Sequence, residues 1–247
     1  MKRVVVTGGN GGIGSAIVTR LLQEGSDVVS LDYSGRAPDG AVDIHCDVTN
    51  LDSVKTAFES LDDLWKEHAP TLFVACAGIS RPGHLLSMPA EDFEAMMAVN
   101  IRGVFLTAQA AGMRMARAVD QSEETVDASM VFISSVAAQQ AWACEAGYSA
   151  TKAAVSSLTQ GFAVDLAPYK IPVNAVAPGP IDHGSENMAT TRTDPDIYRH
   201  EIERTPLARL GSPEEVAESV LRLAQMRWVT GQVITVDGGY MATGLNY

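Results

Sequence analysis

A glycine-rich stretch near the amino terminus decides the fold: Thr7-Gly8-Gly9-Asn10-Gly11-Gly12-Ile13-Gly14. It follows a short apolar run, Arg3–Thr7, and opens a segment with helical character, Ile13–Glu24. Glycines between a strand and a helix let the backbone turn tightly and approach a diphosphate, which the unpaired N–H groups of the helix then bind. The stretch therefore predicts a dinucleotide-binding turn. Three overlapping glycine spacings within it fit such turns equally well, so the turn alone leaves the type of dinucleotide fold open.

Apolar runs and helical segments alternate along the rest of the chain. The runs are short, β-branched and apolar nearly throughout, which is typical of strands buried on both faces of a parallel sheet. They are Arg3–Thr7, Asp27–Leu31, Thr71–Ala75, Ser129–Ser134, Pro172–Ala177 and Gln232–Val236. The helical segments are Ile13–Glu24, Leu51–Glu67, Ala90–Ala118, Tyr148–Leu166 and Pro213–Ala224. The pattern predicts an α/β fold, a doubly wound, mostly parallel, seven-stranded Rossmann-type sheet with helices on both faces, of which six strands are placed.

The length of 247 residues suits one large α/β domain, and no linker or internal repeat divides residues 1–247. Two stretches are expected to be irregular. One is the short loop Gly35–Gly40, and the other is the long, polar, proline-containing segment Pro178–Leu210. Long segments of that kind often bind ligands, so a substrate-loop region is expected at about 180–210.

Composition excludes several classes of function. The formal charge is 18 − 30 = −12, and an acidic surface repels the phosphate backbone of nucleic acids. The three cysteines, Cys46, Cys76 and Cys144, match no zinc or redox spacing, so no metal site is expected and a reduced, cytoplasmic setting fits best. Apolar stretches stay shorter than a signal peptide or a membrane span requires, so no membrane partner is expected.

An acidic residue at the end of the second run bears on the cofactor. Asp32 stands 18 residues after Gly14, where a carboxylate can accept hydrogen bonds from the adenosine ribose. Such a carboxylate repels a 2′-phosphate, and the glycine stretch holds no Lys or Arg that would attract one. We therefore expect NAD rather than NADP. Arg36 stands four residues further on, within reach of a phosphate, so NADP stays open as the less favoured cofactor.

Tyr148 and Lys152 stand four residues apart on a predicted helix and so share one face. A free tyrosine has a pKa near 10 and is a poor base at neutral pH. A nearby ammonium group stabilises the phenolate, and a shift of roughly three pKa units takes about 4 kcal/mol. The pair is therefore suited to proton transfer, although spacing alone is more often that of an ordinary surface pair.

Several motifs occur together with this pair and in a fixed order along the chain. They are Thr7-Gly8-x-x-x-Gly12-x-Gly14, Cys46-Asp47-Val48, Asn100 in Val99-Asn100-Ile101, Ser135 placed 13 residues before Tyr148, Tyr148-Ser149-Ala150-Thr151-Lys152, Asn174-Ala175-Val176-Ala177-Pro178-Gly179 and Val236-Asp237-Gly238-Gly239. Together they make the chain similar to the short-chain dehydrogenase/reductase family over essentially its full length.

The resemblance implies four catalytic residues. Tyr148 would exchange a proton with the substrate hydroxyl, and Ser135 would hydrogen-bond the substrate oxygen. Lys152 would lower the pKa of Tyr148 and hold the nicotinamide ribose. Asn100 would hold a water molecule that links Lys152 to solvent.

The resemblance also implies the residues that bind the ligands. Those expected at the cofactor are Gly8, Asn10, Gly11, Gly12, Ile13, Gly14, Asp32, Asp47, Val48, Ala77, Gly78, Asn100, Tyr148, Lys152, Pro178, Gly179 and Ile181. Those expected at the substrate are Ser135, Gln139, Trp142, Glu145, Tyr148 and Pro180, with His84 and Met188 near the same pocket.

Two positions depart from the family pattern. Ala75 and Cys76 replace the usual Asn-Asn pair before Ala77-Gly78, so backbone groups are expected to keep the cofactor contacts there. Cys76 is expected to be a small buried hydrophobe rather than a redox switch. His183 stands where the family often has threonine, and either a ligand contact or a solvent-facing position fits it.

These expectations combine into one main function and two alternatives. The main one is hydride transfer between NAD(H) and a small-molecule secondary alcohol or ketone, with Tyr148 as general acid/base. The first alternative is an NADP-dependent 3-ketoacyl-type reductase, and the second is a non-enzymatic dinucleotide sensor or scaffold. Relatives commonly form tetramers through long helices, so a homo-oligomer, a tetramer or a dimer, is expected.

Overall fold

The computed structural model describes residues 2–66, 68–122, 126–182 and 195–242. Within these residues, seven parallel strands form one sheet in the order β3-β2-β1-β4-β5-β6-β7. In chain order the strands are β1 (Arg3–Thr7), β2 (Asp27–Asp32), β3 (Val42–His45), β4 (Leu72–Ala75), β5 (Ser129–Ile133), β6 (Val173–Pro178) and β7 (Val233–Val236). The fold class predicted from the sequence is confirmed.

Helices cover both faces of this sheet. They are α1 (Gly12–Gln23), α2 (Leu51–Trp65), α3 (Ala90–Met97), α4 (Val104–Gln121), α5 (Ala146–Leu166), α6 (Pro195–Arg204) and α7 (Pro213–Gln225). Two hydrophobic cores result, one under α2, α4 and α5 and the other under α1 and α7. Burial on both faces explains why the central strands are apolar throughout.

Strand β3 was not placed from the sequence. It lies at the sheet edge, and of its residues Val42, Asp43 and His45 are exposed while Ile44 is half-buried. An edge strand of four residues has neither the length nor the continuous apolar character of the buried strands, so hydrophobicity gives it almost no signal.

Two helical predictions need correction. The single helix predicted over Ala90–Ala118 is interrupted by a π-helical turn, Ala98–Gly103, between α3 and α4. The segment Pro178–Leu210, predicted to be irregular, contains α6. Its prolines obscured this helix, although Asp196 in the first turn and Arg204 in the last turn complement the helix dipole.

The strand order reverses next to β1, which pairs with β2 on one side and with β4 on the other. The connections from β1 and β4 therefore leave in opposite directions and open a crevice at the carboxyl ends of the strands. In open α/β sheets, ligands bind in such a crevice.

Candidate active site

A cleft of about 790 Å³ occupies this crevice. The predicted cofactor residues that line it are Gly8, Asn10, Gly11, Gly12, Ile13, Gly14, Asp32, Asp47, Val48, Ala77, Gly78, Tyr148, Lys152, Pro178, Gly179 and Ile181. Sixteen of the seventeen residues expected at the cofactor thus meet in one place, although they span most of the chain. Asn100 is the exception and lies behind the wall.

The glycine turn is built around Gly8 and Gly14. Gly8 has a φ of +67°, and its N–H donates a hydrogen bond of 2.8 Å to the Leu31 carbonyl oxygen. A Cβ at Gly8 would lie 2.7 Å from Ala77 Cα, and a Cβ at Gly14 would overlap with the Gly8 carbonyl oxygen. A Cβ at Gly11 would make only an ordinary contact of 3.5 Å. Packing therefore requires glycine at Gly8 and Gly14, and also at Gly9, where a Cβ would overlap with Ser30 Oγ. The three glycine spacings thus stay equally compatible with the turn.

The amino end of α1 fits a diphosphate. Gly11 is the N-cap, and among the described residues no side chain caps this end and no acidic residue stands in its first turn. Free N–H groups and the positive end of the helix dipole therefore face the cleft, which is the arrangement that binds phosphate groups.

A polar network closes the cleft where an adenosine ribose would lie. Asp32 accepts hydrogen bonds from the backbone N–H groups of Asn10, at 3.0 Å, and Ser34, at 3.1 Å. The Asn10 side chain accepts from Ser30 Oγ at 2.7 Å and donates to Ser34 O at 3.0 Å and to Asp43 Oδ1 at 3.2 Å. The network fixes the Asp32 carboxylate in position.

The opposite wall of this subsite is also fixed. Asp47 Oδ1 accepts hydrogen bonds from both the backbone N–H, at 2.9 Å, and the hydroxyl, at 2.7 Å, of Thr49. Val48 packs against Gly103 so closely that a Cβ at Gly103 would lie 2.7 Å from Val48 Cγ2. The wall therefore depends on the π-helical turn behind it.

Three predicted catalytic residues meet at the other end of the cleft. Ser135 follows β5 and caps a short 3₁₀ turn, Val136–Ala138, by accepting a hydrogen bond of 3.1 Å from Ala137 N. Tyr148 and Lys152 lie one turn apart in α5. Lys152 Nζ donates to the Ile133 carbonyl oxygen at 2.9 Å and lies 5.7 Å from the centre of the Tyr148 ring.

The protonation of this trio is dominated by burial. Burial raises the pKa of Tyr148 to about 12, and a hydrogen bond with Ser135 opposes the rise. Burial also lowers the pKa of Lys152 to about 8. Lys152, which was expected to lower the pKa of Tyr148, is not among the causes of its shift, and removing the phenolate from water costs more than the Ser135 hydrogen bond returns. Tyr148 holds its proton at neutral pH.

Asn100 is fully buried in the π-helical turn. Its side chain accepts a hydrogen bond from Ile79 N at 2.8 Å and donates to Ile79 O at 2.8 Å and to Thr151 Oγ1 at 3.0 Å. The structure thus places Asn100 as a clamp between α5 and the loop after β4, next to the predicted catalytic residues. Its expected role of holding a water stays a prediction.

Thr7 ties the end of β1 to the chain that follows β4. Its hydroxyl oxygen accepts hydrogen bonds from the backbone N–H groups of Cys76, at 3.1 Å, and Ala77, at 3.2 Å. Burial raises the pKa of the Cys76 thiol to about 12, so the thiol stays protonated and unreactive. Cys76 nevertheless lines the cleft and is only half-buried.

The predicted substrate residues divide into two groups. Ser135, Tyr148 and Pro180 line the cleft, whereas Gln139, Trp142 and Glu145 lie outside its lining as far as the described residues define it. Gln139 is exposed and donates to Thr235 Oγ1 at 3.3 Å, and Trp142 packs on Tyr240 with ring centroids 5.9 Å apart. Glu145 is half-buried, and burial raises the pKa of its carboxyl group.

Of the two histidines and the methionine discussed near the pocket, only His84 lies among the described residues. His84 is exposed, and its Nδ1 accepts a hydrogen bond of 3.3 Å from Leu86 N. His183 and Met188 lie outside the described residues.

Two residues that were not predicted from the sequence bind the backbone of α5, the catalytic helix that carries Tyr148 and Lys152, through their hydroxyl groups. Ser134 Oγ donates to Lys152 O at 3.1 Å, and Thr151 Oγ1 donates to Tyr148 O at 2.7 Å. Thr151 stands within the Tyr148–Lys152 motif, and Ser134 is a polar residue at the end of the buried run Ser129–Ser134, which was the available signal for it. The cleft lining that was not predicted consists of Ser134 and of Leu31, Tyr33, Ser34, Gly35, Cys46, Cys76, Ile79, Ser80, Val99 and Ile133.

Neither a metal centre nor a membrane-spanning helix emerges from the described part of the chain. No three His, Cys, Asp or Glu side chains there are grouped so that they could hold a metal ion. The helices described there are too short or too polar to cross a bilayer.

Known proteins share this fold and these motifs. Residues 8–241 match a family model described as enoyl-(acyl carrier protein) reductase. The 3-oxoacyl-[acyl-carrier-protein] reductase MabA of Mycobacterium tuberculosis is 35% identical over 240 residues, which cover 96% of this chain and 92% of that protein. The 3-oxoacyl-[acyl-carrier-protein] reductase FabG of Thermotoga maritima is 35% identical over 251 residues, with 96% and 97% covered.

One solved structure shares the fold over the whole of this chain. The ligand-free aldohexose dehydrogenase of Thermoplasma acidophilum superposes with a TM-score of 0.90 at 32% identity, covering all of this chain and 96% of that one. The shared sheet, the matched family model and relatives above 30% identity over nearly the whole length lead to one conclusion. The chain belongs to the short-chain dehydrogenase/reductase family of oxidoreductases.

Proposed function

We propose that the protein reduces the ketone of a 3-oxoacyl-type substrate to a secondary alcohol, with a nicotinamide dinucleotide as hydride donor. The observation that carries the proposal is the hydrogen-bonded Ser135–Tyr148 pair beside Lys152 at one end of the cleft. Because Tyr148 holds its proton at neutral pH, the pair is set to act as an acid, and an acid is what ketone reduction needs.

The chain's own residues have distinct tasks in this reaction. The bound dinucleotide supplies the hydride chemistry. Ser135 Oγ donates a hydrogen bond to the substrate oxygen and stabilises its developing negative charge. Tyr148 Oη donates its proton to the same oxygen. The Lys152 ammonium group, held on the Ile133 carbonyl, stabilises the phenolate that remains.

The dinucleotide we propose is NAD(H). Asp32 is fixed by two backbone N–H groups and lines the cleft, so a 2′-phosphate placed there would meet a carboxylate. Arg36, the residue that left NADP open, forms an exposed ion pair with Asp39 at 3.3 Å.

The substrate class rests on the relatives. MabA and FabG are both named for reduction of a 3-oxoacyl group on an acyl carrier protein. The net charge of −12 opposes docking of an acidic partner protein, so we propose the acyl thioester itself as the recognised part. A second candidate is an NAD-linked dehydrogenase of a sugar or other polyol, which is favoured by the likeness to the aldohexose dehydrogenase structure.

Turnover tests this proposal directly. With NADH, we expect reduction of an acetoacetyl thioester of N-acetylcysteamine, and Tyr148→Phe should lower kcat by roughly 10²- to 10⁴-fold while the NADH Kd stays within about twofold. Oxidation of aldoses with NAD and no thioester turnover would favour the second candidate. No turnover of either class, with the dinucleotide still bound, would favour a sensor or scaffold protein.

We also propose that the protein is a homo-oligomer in a reducing, cytoplasmic setting. Apolar side chains project from α4 and α5, where Met113 is 68% and Val164 is 73% exposed. Contacts between copies would remove these side chains from water, which stabilises association. The acidic surface and the absence of paired cysteines among the described residues support the setting.

A further inference from the structure

Tyr240 is deeply buried in the turn that follows β7. Only 2% of its surface is exposed, and it is among the largest fully buried side chains. Its ring centroid lies 5.9 Å from that of Trp142 and 4.5 Å from the guanidinium carbon of Arg204. One aromatic ring thus contacts two elements that are distant in the sequence.

The turn before Tyr240 fixes this ring in place. The Asp237 carboxylate accepts hydrogen bonds from the N–H groups of Gly239, at 2.9 Å, and Met241, at 2.8 Å, and Tyr240 N donates to Asp237 O at 3.1 Å. Gly238 and Gly239 have φ values of +63° and +91°, which glycine adopts without strain. The backbone on both sides of Tyr240 is therefore held.

Trp142 connects the ring to the catalytic helix. Its carbonyl oxygen accepts a hydrogen bond of 3.3 Å from Glu145 N, and Glu145 O accepts one of 2.8 Å from Ser149 N in the first turn of α5. Tyr148 lies in that turn, six residues after Trp142. A displacement of the Trp142 ring therefore reaches the start of the catalytic helix.

Arg204 connects the same ring to the substrate-loop region, because it is the last residue of α6. The chain that follows packs on the same turn: Leu207 N donates to Gly238 O at 3.2 Å, and a Cβ at Gly239 would lie 2.9 Å from Pro206 Cγ. The pKa of Tyr240 is raised to about 12 by burial and then by a hydrogen bond with Glu201 of α6. Tyr240 thus holds α6 through its ring and its hydroxyl.

We propose that Tyr240 is a positioning residue that holds α6 at a fixed place relative to the segment around Trp142, which precedes α5, and thereby sets how the substrate is seated against Ser135 and Tyr148. Tyr240 touches no reacting atom and acts through Trp142 and Arg204. This inference deepens the proposed function and rests on it for the substrate.

Amide hydrogen exchange on the full-length protein tests the connection without any substrate. Tyr240→Leu should raise exchange in both 195–204 and 139–145 by about tenfold or more, because both contacts of the ring are lost. The decisive variant is Trp142→Leu, which should raise exchange in α6 although the two are far apart in sequence. Unchanged exchange in α6 of the Trp142→Leu protein would overturn the proposal.

Matched controls separate this effect from general loosening. Trp228 is fully exposed, and Arg199 lies in α6 in an ion pair with Asp196. Trp228→Leu and Arg199→Met should leave exchange in 139–145 as in the wild type, whereas Arg204→Met should raise it. If Tyr240→Leu fails to fold, Tyr240→Phe keeps the ring and removes the hydroxyl, which interacts with both Trp142 and Glu201. Exchange should then rise, by less than in Tyr240→Leu, in 139–145 and in α6. No rise there would also contradict the proposal.

Kinetics then distinguish positioning from mere stability. With the acetoacetyl thioester, Arg204→Met should raise KM about tenfold while kcat and the NADH Kd stay within about twofold. A lower Tm with an unchanged KM would mean a purely structural role and would overturn the assignment. If the wild-type protein leaves the thioester untouched, the proposed function fails, and the exchange measurements still decide the role of Tyr240.

Discussion

Tyr148 shows how one side chain can favour one direction of a reversible reaction. Its pKa of about 12 lies above the ordinary value, with burial as the main cause. A protonated phenol can donate to a ketone, whereas the reverse reaction needs the phenolate. In the proposed reaction this protonation favours reduction near neutral pH, and we expect the oxidation of an alcohol to need alkaline conditions.

The nearby Glu145 makes this testable. Its negative charge contributes to the raised pKa of Tyr148, so Glu145→Gln should lower that pKa. Alcohol oxidation needs the phenolate, so its kcat/KM should rise with pH, and in Glu145→Gln the rise should begin at lower pH. The measurement is kcat/KM against pH in the oxidation direction. Glu91→Gln, an exposed site in α3, is the control, and coincident profiles for all three proteins would exclude the effect.

Asp32 gives a second test at the residue scale. Replacing it with serine removes the carboxylate that would face a 2′-phosphate. The ratio of the NADPH Kd to the NADH Kd, measured by fluorescence, should fall by about tenfold or more. The reason is that two like charges about 4 Å apart repel each other by about 1 kcal/mol in water and by about 4 kcal/mol near a protein surface. Asp63→Ser, on exposed α2 surface, should leave the ratio unchanged. An unchanged ratio in Asp32→Ser would mean that another group selects the dinucleotide.

Among the elements, the π-helical turn at Ala98–Gly103 connects the two ends of the cleft. Asn100 holds the loop at Ile79 and the catalytic helix at Thr151, and Gly103 packs on Val48 beneath the ribose subsite. Such turns are rare and often occur at functional sites. A regular α-helix has one residue fewer per hydrogen-bonded ring and would place these side chains differently.

Asn100→Ala should disturb both chemistry and stability. Three hydrogen bonds are lost and the Ile79 backbone groups lose their partner, so the free energy of unfolding should fall by about 1–3 kcal/mol. We also expect kcat to fall, because Gly78 and Lys152 lie beside Asn100. Urea denaturation and steady-state kinetics measure the two effects. Gln109→Ala, exposed in α4, should change stability by less than about 0.5 kcal/mol. Equal behaviour of the two variants would contradict the clamp.

The elements also show how far sequence alone reaches. The buried strands, the glycine turn and the Tyr148–Lys152 helix have strong local signals, and all were placed within a few residues. Strand β3 is defined by pairing with β2 and by little of its own composition, so it was missed. The π-helical turn arises from packing around Asn100, which no local pattern records. Trp142 and Glu145 were expected in the pocket, but both lie outside the cleft lining that the described residues form. Trp142 packs instead on Tyr240, which is distant in the sequence, so no local pattern could place it.

At the scale of the whole molecule, one sheet places every part of the site. All described strands are parallel, so their carboxyl ends share one edge, and the loops that leave them meet there. Residues from Gly8 to Ile181 line a single cleft for this reason.

The proposed oligomer belongs to this scale. Light scattering after gel filtration should give a mass of two or four chains for the wild-type protein. The double variant Met113→Glu/Val164→Glu places charges on the apolar surface of α4 and α5 and should yield monomers. Leu64→Glu, 43% exposed in α2, should keep the wild-type mass. A monomeric wild-type protein would remove the basis for the proposal.

The order of the strands has a consequence for synthesis on the ribosome. The glycine turn emerges first, but β1 acquires its partner β4 only after more than 60 further residues, since Val4 pairs with Leu72. Tyr148 and Lys152 follow later still, and the wall at Pro178–Ile181 comes last. A nascent chain halted after β4 therefore carries the glycine turn without the wall at Pro178–Ile181, and the proposed active site is among the last parts that the growing polypeptide completes.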